Sequence, residues 1–319
     1  MASLILSLNG AVALGLMYAL MALGVYITYR ILDFPDLTVD GSFTTGAGIA
    51  AVLLTHGWSP WIATLAAFGG GMAAGACTGL LHTKGKVNGL LAGILMMIAL
   101  YSINMRIMGK PNVSISGEHT LLGSIAGSEW LTFGGVSWFY PVVLLAVAVA
   151  AKLLLDGFLH TDLGLALRAT GDNKRMIRSF GGNTDRSTVL GVSLSNGLVA
   201  LSGALIAQDA SFADINMGIG MIVIGLASVI IGEALLGARG VFMTTLAVVV
   251  GAVVYRIVIA LALRSDFLHL EASDLKLITA AIVIIALVIP TVNRSMKQKR
   301  QARRRTAELA AGTAGRREA

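Results

Sequence analysis

Charge is scarce in this sequence: 13% of its 319 residues are Asp, Glu, Lys or Arg, against 56% hydrophobic residues and a mean hydropathy of +0.80. A soluble domain could not dress its surface from that composition, so the chain belongs in lipid. Aromatic residues are few as well, at 6%. The apolar runs are long and continuous rather than short and alternating, which excludes an outer-membrane barrel with its aromatic girdles. A single cysteine, Cys77, lies inside an apolar run. It rules out a disulfide within the chain and leaves a structural zinc site no cysteine pair to build on. The histidines, His56, His82, His119, His160 and His269, are scattered at helix ends and in loops, without metal-ligand spacing. Phosphate-loop, H-E-x-x-H and G-x-S-x-G motifs are all missing. The chain is therefore not read as an enzyme, and it carries no cofactor of its own. If it moves a solute uphill, the energy comes from an ion gradient or a separate ATPase.

What is abundant is glycine, 38 residues of it, together with alanine, in the manner of helices that pack backbone to backbone. The expected fold is all-α, a polytopic transmembrane helical bundle. Scanning for runs of roughly 20 apolar residues gives about nine spans, near 4–29, 39–55, 60–82, 87–107, 137–156, 188–208, 218–237, 241–263 and 274–291. No basic n-region precedes the first run, so it reads as a mature span and not a cleaved signal. The second run is short and diluted by Ser42, Thr44, Thr45, Gly46 and Gly48, which suggests a broken or partly re-entrant segment.

Orientation follows from the cations. Arg294, Lys297, Lys299, Arg300, Arg303, Arg304 and Arg305 follow Pro290 without an acid among them, which places the C-terminus in the cytoplasm. Counting back, the hydrophilic loop 157–187, Lys84, Lys86 and Arg239 fall on the cytoplasmic side. The loop 109–136, whose single cation is Lys110, falls outside, as does the N-terminus. The chain divides into a membrane domain, 1–292, and a basic tail, 293–319, expected to be partly disordered and to rest near anionic membrane lipid rather than on nucleic acid.

Charges inside a membrane cost about 2.5 to 3.5 kcal/mol each on insertion scales, and the deep interior of these runs is nearly free of them. Arg256 and Glu233 are the exceptions, and each reads either as a helix-packing or snorkelling residue or as a solute contact. In the stretch from Arg30 to Phe43, Pro35 and Gly41 should break the helix. Asp33, Asp36 and Asp40 keep that break near water. It is either a wall or gate of a translocation path or a capped loop with Asp40 as N-cap. The spacing of Gly71, Gly75 and Gly79 gives one helix a small-residue face for packing within the subunit. In the loop 157–187, Asp172 or Asn173 can cap a short helix that Gly181 and Gly182 end. Met176, Ile177 and Phe180 would give it an apolar face, either for a partner or for the membrane surface.

The stretches Ile31 to Phe43, Leu167 to Asn173, Ala227 to Leu235 and Ser273 to Ala280 resemble the permeases of branched-chain amino acid and ribose-type ATP-binding-cassette (ABC) importers. Within them the chain is most similar to the subgroup found with tryptophan- or tyrosine-type and uncharacterised substrate-binding lipoproteins. The resemblance implies a multi-pass protein of the bacterial cytoplasmic membrane that pairs with a second permease copy. Two ATPase subunits holding ATP and Mg sit below, and an external binding protein delivers a small polar solute such as an amino acid. It implies a coupling role towards the ATPase for Arg168, Thr170, Gly171, Asp172, Asn173, Arg175, Met176, Ile177, Phe180 and Gly181. It also implies a path or gate role for Asp33, Phe34, Pro35, Asp36, Thr38, Asp40 and Ser42. The run Lys174-Arg175-Met176-Ile177 departs from the family's preference for small residues there. The competing reading is a stand-alone ion-coupled carrier or channel, which needs a buried acidic or broken-helix ion site.

Overall fold

A computed structural model of the chain describes residues 2–123, 132–133, 136–237 and 240–264, with positions 280, 281 and 284. The expected ninth span apart from positions 280, 281 and 284, the stretch 273–279, Arg239 and the basic tail lie outside the described residues. The other eight expected spans all fall on helices. Among the described residues, six helices are long and apolar enough to cross a membrane. Their outward faces carry large apolar side chains, such as Trp61, Leu65, Ile98 and Leu154. Such a surface is unstable in water and suited to lipid, so the molecule is a polytopic helical membrane protein.

Helix α1 (Ala2–Tyr26) is apolar on every side, and a helix of that kind belongs in the interior. It packs against four later helices and continues into one π-helical turn, Ile27–Ile31. There the Leu32 N–H donates to Ile27 O (3.0 Å) and the Phe34 N–H to Thr28 O (2.9 Å). Asp33 then turns left-handed (φ +50°), and the chain runs without regular structure to Leu37. Helix α2 (Thr38–Thr55) follows as one unbroken, almost wholly buried helix. The break expected over 35–42 is thus confined to 32–37, and the second span is continuous. Gly41 and Ser42 lie inside α2, because its glycines serve close packing and do not interrupt it. A Cβ at Gly46 would overlap the Ala200 carbonyl of a neighbouring helix.

Helix α3 (Pro60–Thr83) starts with proline in its first turn, where the missing N–H costs nothing. Helix α4 (Gly89–Met108) is capped by Asn88, whose side chain accepts the Leu90 N–H, and stops at left-handed Gly109. Strands β1 (Asn112–Ser114), β2 (Thr132–Phe133) and β3 (Val136–Ser137) follow, then helix α5 (Phe139–His160). The hydrophilic loop folds as two short helices, α6 (Asp162–Asp172) and α7 (Lys174–Ser179). Helix α8 (Thr184–Ala210) is long and central, and strand β4 (Phe212–Asp214) pairs antiparallel with β1. The chain continues with α9 (Met221–Leu236) and α10 (Val241–Arg264).

The core is the set α1, α2 and α8, with the remaining helices arrayed around it. Gly71, Gly75 and Gly79 of α3 all lie on α8, each so close that a Cβ would press on the α8 backbone or its Cβ atoms. The small-residue face therefore works within the subunit.

Candidate functional site: two helix breaks and an exposed segment

The first break is held by buried polar contacts. Asp36 lies between helices with one carboxylate oxygen, Oδ1, accepting the Thr38 N–H (2.9 Å), which caps the start of α2. Its other oxygen, Oδ2, accepts from Asn196 Nδ2 in the middle of α8 (2.6 Å). The hydroxyls of Thr38 and Thr78 on α3 lie 2.8 Å apart. Phe34 stands edge-on to His82, 5.2 Å between ring centres, and packs over Gly89. Asp33 and Pro35 are exposed, whereas Phe34, Asp36, Thr38 and Ser42 are enclosed by helices of the same chain.

A second break precedes α9. From β4 near the end of α2, residues 215–220 run as successive turns along α2 towards its start. There the Gly220 and Ile222 N–H groups donate to the Asp40 carboxylate (2.8 and 2.9 Å), and the Gly218 N–H donates to Thr44 Oγ1 (3.1 Å). Asp40 lies about 22 Å along α2 from its far end at Thr55, at 1.5 Å per residue. Helix α9 therefore begins inside the bundle, with a carboxylate on its positive end. Asp40 is not the N-cap of its own helix. That position is Leu37, and Asp40 caps α9 instead.

The hydrophilic loop divides in two. Its inner part, α6, is pressed into the bundle: Leu167 and Thr170 are buried, and a Cβ at Gly171 would overlap the carbonyl oxygen of Ile31 in the π turn. Arg168 is half-buried on the same helix, and Asp172 and Asn173 mark its exposed end. Its outer part, α7, stands free. Asn173 Oδ1 accepts the Met176 N–H (3.0 Å), and left-handed Gly181 (φ +79°) closes the other end. Between these caps, Phe180 is 80% exposed and Met176 47% exposed, with Arg175 also in the open and Ile177 half-buried. Arg178 ties the base of α7 to α8 through Thr184 Oγ1 (2.8 Å) and Asp185 (3.0 Å).

Residues 7–289 match the family described as the branched-chain amino acid transport system / permease component.

The chain belongs to this family.

A tyrosine transport system permease protein of Clostridioides difficile is 47% identical over 89% of this chain and 91% of its own length. The ribose import permease protein RbsC of Escherichia coli is 27% identical over 89% and 82%. Among solved structures, PsaBC from Streptococcus pneumoniae in complex with Fab aligns over 92% of this chain and 94% of that one, with a TM-score of 0.52. At 15% identity that likeness concerns the fold alone.

Two charged residues picked from the sequence of this permease do not meet. Glu233, near the end of α9, accepts from Arg30 Nε at the end of the π turn (2.9 Å). Arg256 lies over the ring of Tyr18 on α1, 3.8 Å from its centre, a contact worth about 2 kcal/mol when shielded from water.

The sequence reading of a nearly charge-free interior needs correction at α5. Lys152 and Asp156 are both buried there and lie 2.6 Å apart. Thr245 on α10 donates to Asp156 (2.7 Å), and the Lys152 ammonium sits 3.0 Å from the centre of the Phe242 ring. Their spacing of four residues on an apolar helix is the signal that marks such a pair. The helix runs on to His160, so the pair lies within it and not at its end.

Proposed function

We propose that this permease forms the membrane path of an ABC importer for an amino acid or a similar small polar solute. The observation that carries the proposal is the pairing of a free-standing α7 with a backbone contact behind it. The apolar, basic face of Met176, Ile177, Phe180 and Arg175 would dock in a groove of a separate ATPase subunit, which would hold ATP and Mg. Movement of α7 would reach α6, whose Gly171 rests directly on the π turn, and from there the break at Asp36 and the start of α2. The permease then needs no catalytic group of its own. Arg168, Thr170 and Gly171 act as the inner bearing of this lever, and Asp172, Asn173 and Gly181 set its geometry.

A second copy of the chain would complete the path, with exposed Asp33 and Pro35 as its wall and the buried Phe34, Asp36, Thr38 and Ser42, with half-buried Asp40, as the frame behind it. An external substrate-binding protein would deliver the solute. The amino acid assignment rests on the name of the 47% identical relative. Nine spans in the bacterial cytoplasmic membrane, N-terminus outside and C-terminus inside, fit the distribution of cations. Arg30 and Glu233, which this topology puts at the cytoplasmic end of two different helices, are in contact, in keeping with it.

The buried Lys152–Asp156 pair favours a second reading, a carrier driven by an ion gradient. Gentle extraction of the tagged permease from its native membrane, with mass spectrometry of what accompanies it, separates the two. An ABC ATPase that is recovered with the wild type and lost on alteration of α7 supports the importer. Purification of the chain alone, with solute uptake intact in vesicles free of ATP, supports the carrier.

A further inference from the structure

A groove of about 1020 Å³ runs along the outside of the bundle between α3, α5 and α8. Its walls are apolar, and Leu65, Leu154 and Leu190 lie open along it. One end is polar and carries Lys84, Asp185 and Arg186. Asp185 is engaged by Arg178 (3.0 Å). Lys84 and Arg186 are exposed and have no carboxylate partner among the described residues, so the rim is cationic. From Leu80 to Leu65 the α3 wall is about 22 Å long at 1.5 Å per residue, more than the roughly 15 Å depth of one leaflet of a 30 Å hydrocarbon core.

We propose that this groove binds an anionic diacyl phospholipid, with its phosphate at Lys84 and Arg186 and its acyl chains along α3, α5 and α8. Charge selects this occupant over two others. A second copy seated on this face by a two-fold axis would bring the same cations together. The C-terminal stretch after Pro290 carries nine cations against two acids, an excess of that same sign. An anionic lipid alone satisfies the rim and the walls at once.

The test uses the full-length chain, stripped of lipid in detergent and incubated with equal amounts of phosphatidylglycerol or phosphatidylcholine, with retained lipid counted by native mass spectrometry. Phosphatidylglycerol is expected to be retained about tenfold over phosphatidylcholine. The double variant Lys84→Gln/Arg186→Gln should lose that preference, whereas Lys86→Gln/Lys110→Gln, with the same change of charge, should keep it. Leu154→Trp, which fills the groove without touching its charge, should displace the lipid. Equal retention of the two lipids overturns the proposal. So does a preference that survives Lys84→Gln/Arg186→Gln, or displacement by excess glycerophosphate, which would indicate a site for the ion alone. Retention that appears only after removal of residues 293–319 would assign the groove to the chain's own tail.

Discussion

Thr170 and Gly171 sit five to ten residues ahead of Met176 and Phe180, yet the two ends of this segment are built in opposite ways. The inner end is buried, and it meets the π turn backbone to backbone, with no side chain between. The outer end is capped at both termini by its own residues and tied to α8 at its base through Arg178, and Phe180 stands 80% exposed. A contact without side chains cannot yield by changing rotamer, so it transmits displacement. A short helix capped by its own residues can keep its shape with its apolar face open. A rigid contact inside and an exposed apolar face outside are what the proposed lever would need.

The sharpest contrast comes from disturbing the interior. Removing one member of the buried ion pair, as in Lys152→Met, strands Asp156 and should cost about 3 to 5 kcal/mol. It would be seen as a marked fall in the thermal midpoint of the purified permease. The double variant Lys152→Met/Asp156→Leu should recover most of that loss, since an apolar pair of similar volume is tolerated there. Gly171→Ala should cost about 1 to 3 kcal/mol, because the added methyl collides with the Ile31 carbonyl and α6 must shift. The same variant should impair uptake more than its stability loss explains, which a comparison of uptake per folded molecule would reveal. Asp40→Ala removes the acceptor of two N–H groups at the start of α9. A loss of about 1 to 2 kcal/mol is expected, with faster hydrogen exchange confined to residues 218–224.

Much of this architecture could be read in the sequence, and what could not has physical causes. Eight of the runs became helices because a run of apolar residues in lipid has no other way to satisfy its backbone. The helix around Lys174 to Ser179 was legible because its caps, Asn173 and Gly181, are local signals. Helix α6 was not, since its amphipathic face is defined by α8 and the π turn, which lie far away in sequence. The break at Pro35 was foreseen but drawn too long: Gly41 resembles a breaker in one dimension and is a packing surface in three. The partner of Asp40 could not be inferred, because 180 residues separate it from Gly220. Residues 218–220, read as the start of a span, are the end of an entering turn. Arg256 and Glu233 stand out as charges in apolar runs, whereas the pairing of Lys152 and Asp156 with each other and with α10 becomes visible only in the fold.

The smallest expected effect on stability is the most informative for function. Phe180→Ala removes a side chain that touches little of its own chain, so the thermal midpoint should stay within that of a surface substitution, under about 0.5 kcal/mol. Uptake of labelled amino acid by cells or proteoliposomes carrying this variant, measured beside ATPase recovery in the extracted complex, tests the central claim that α7 is where the motor engages. The account predicts wild-type folding with uptake reduced at least about tenfold, as expected when an exposed aromatic anchor of an interface is lost. Uptake and ATPase recovery both unchanged by Phe180→Ala, and also by the combined Met176→Ala/Phe180→Ala, would contradict it.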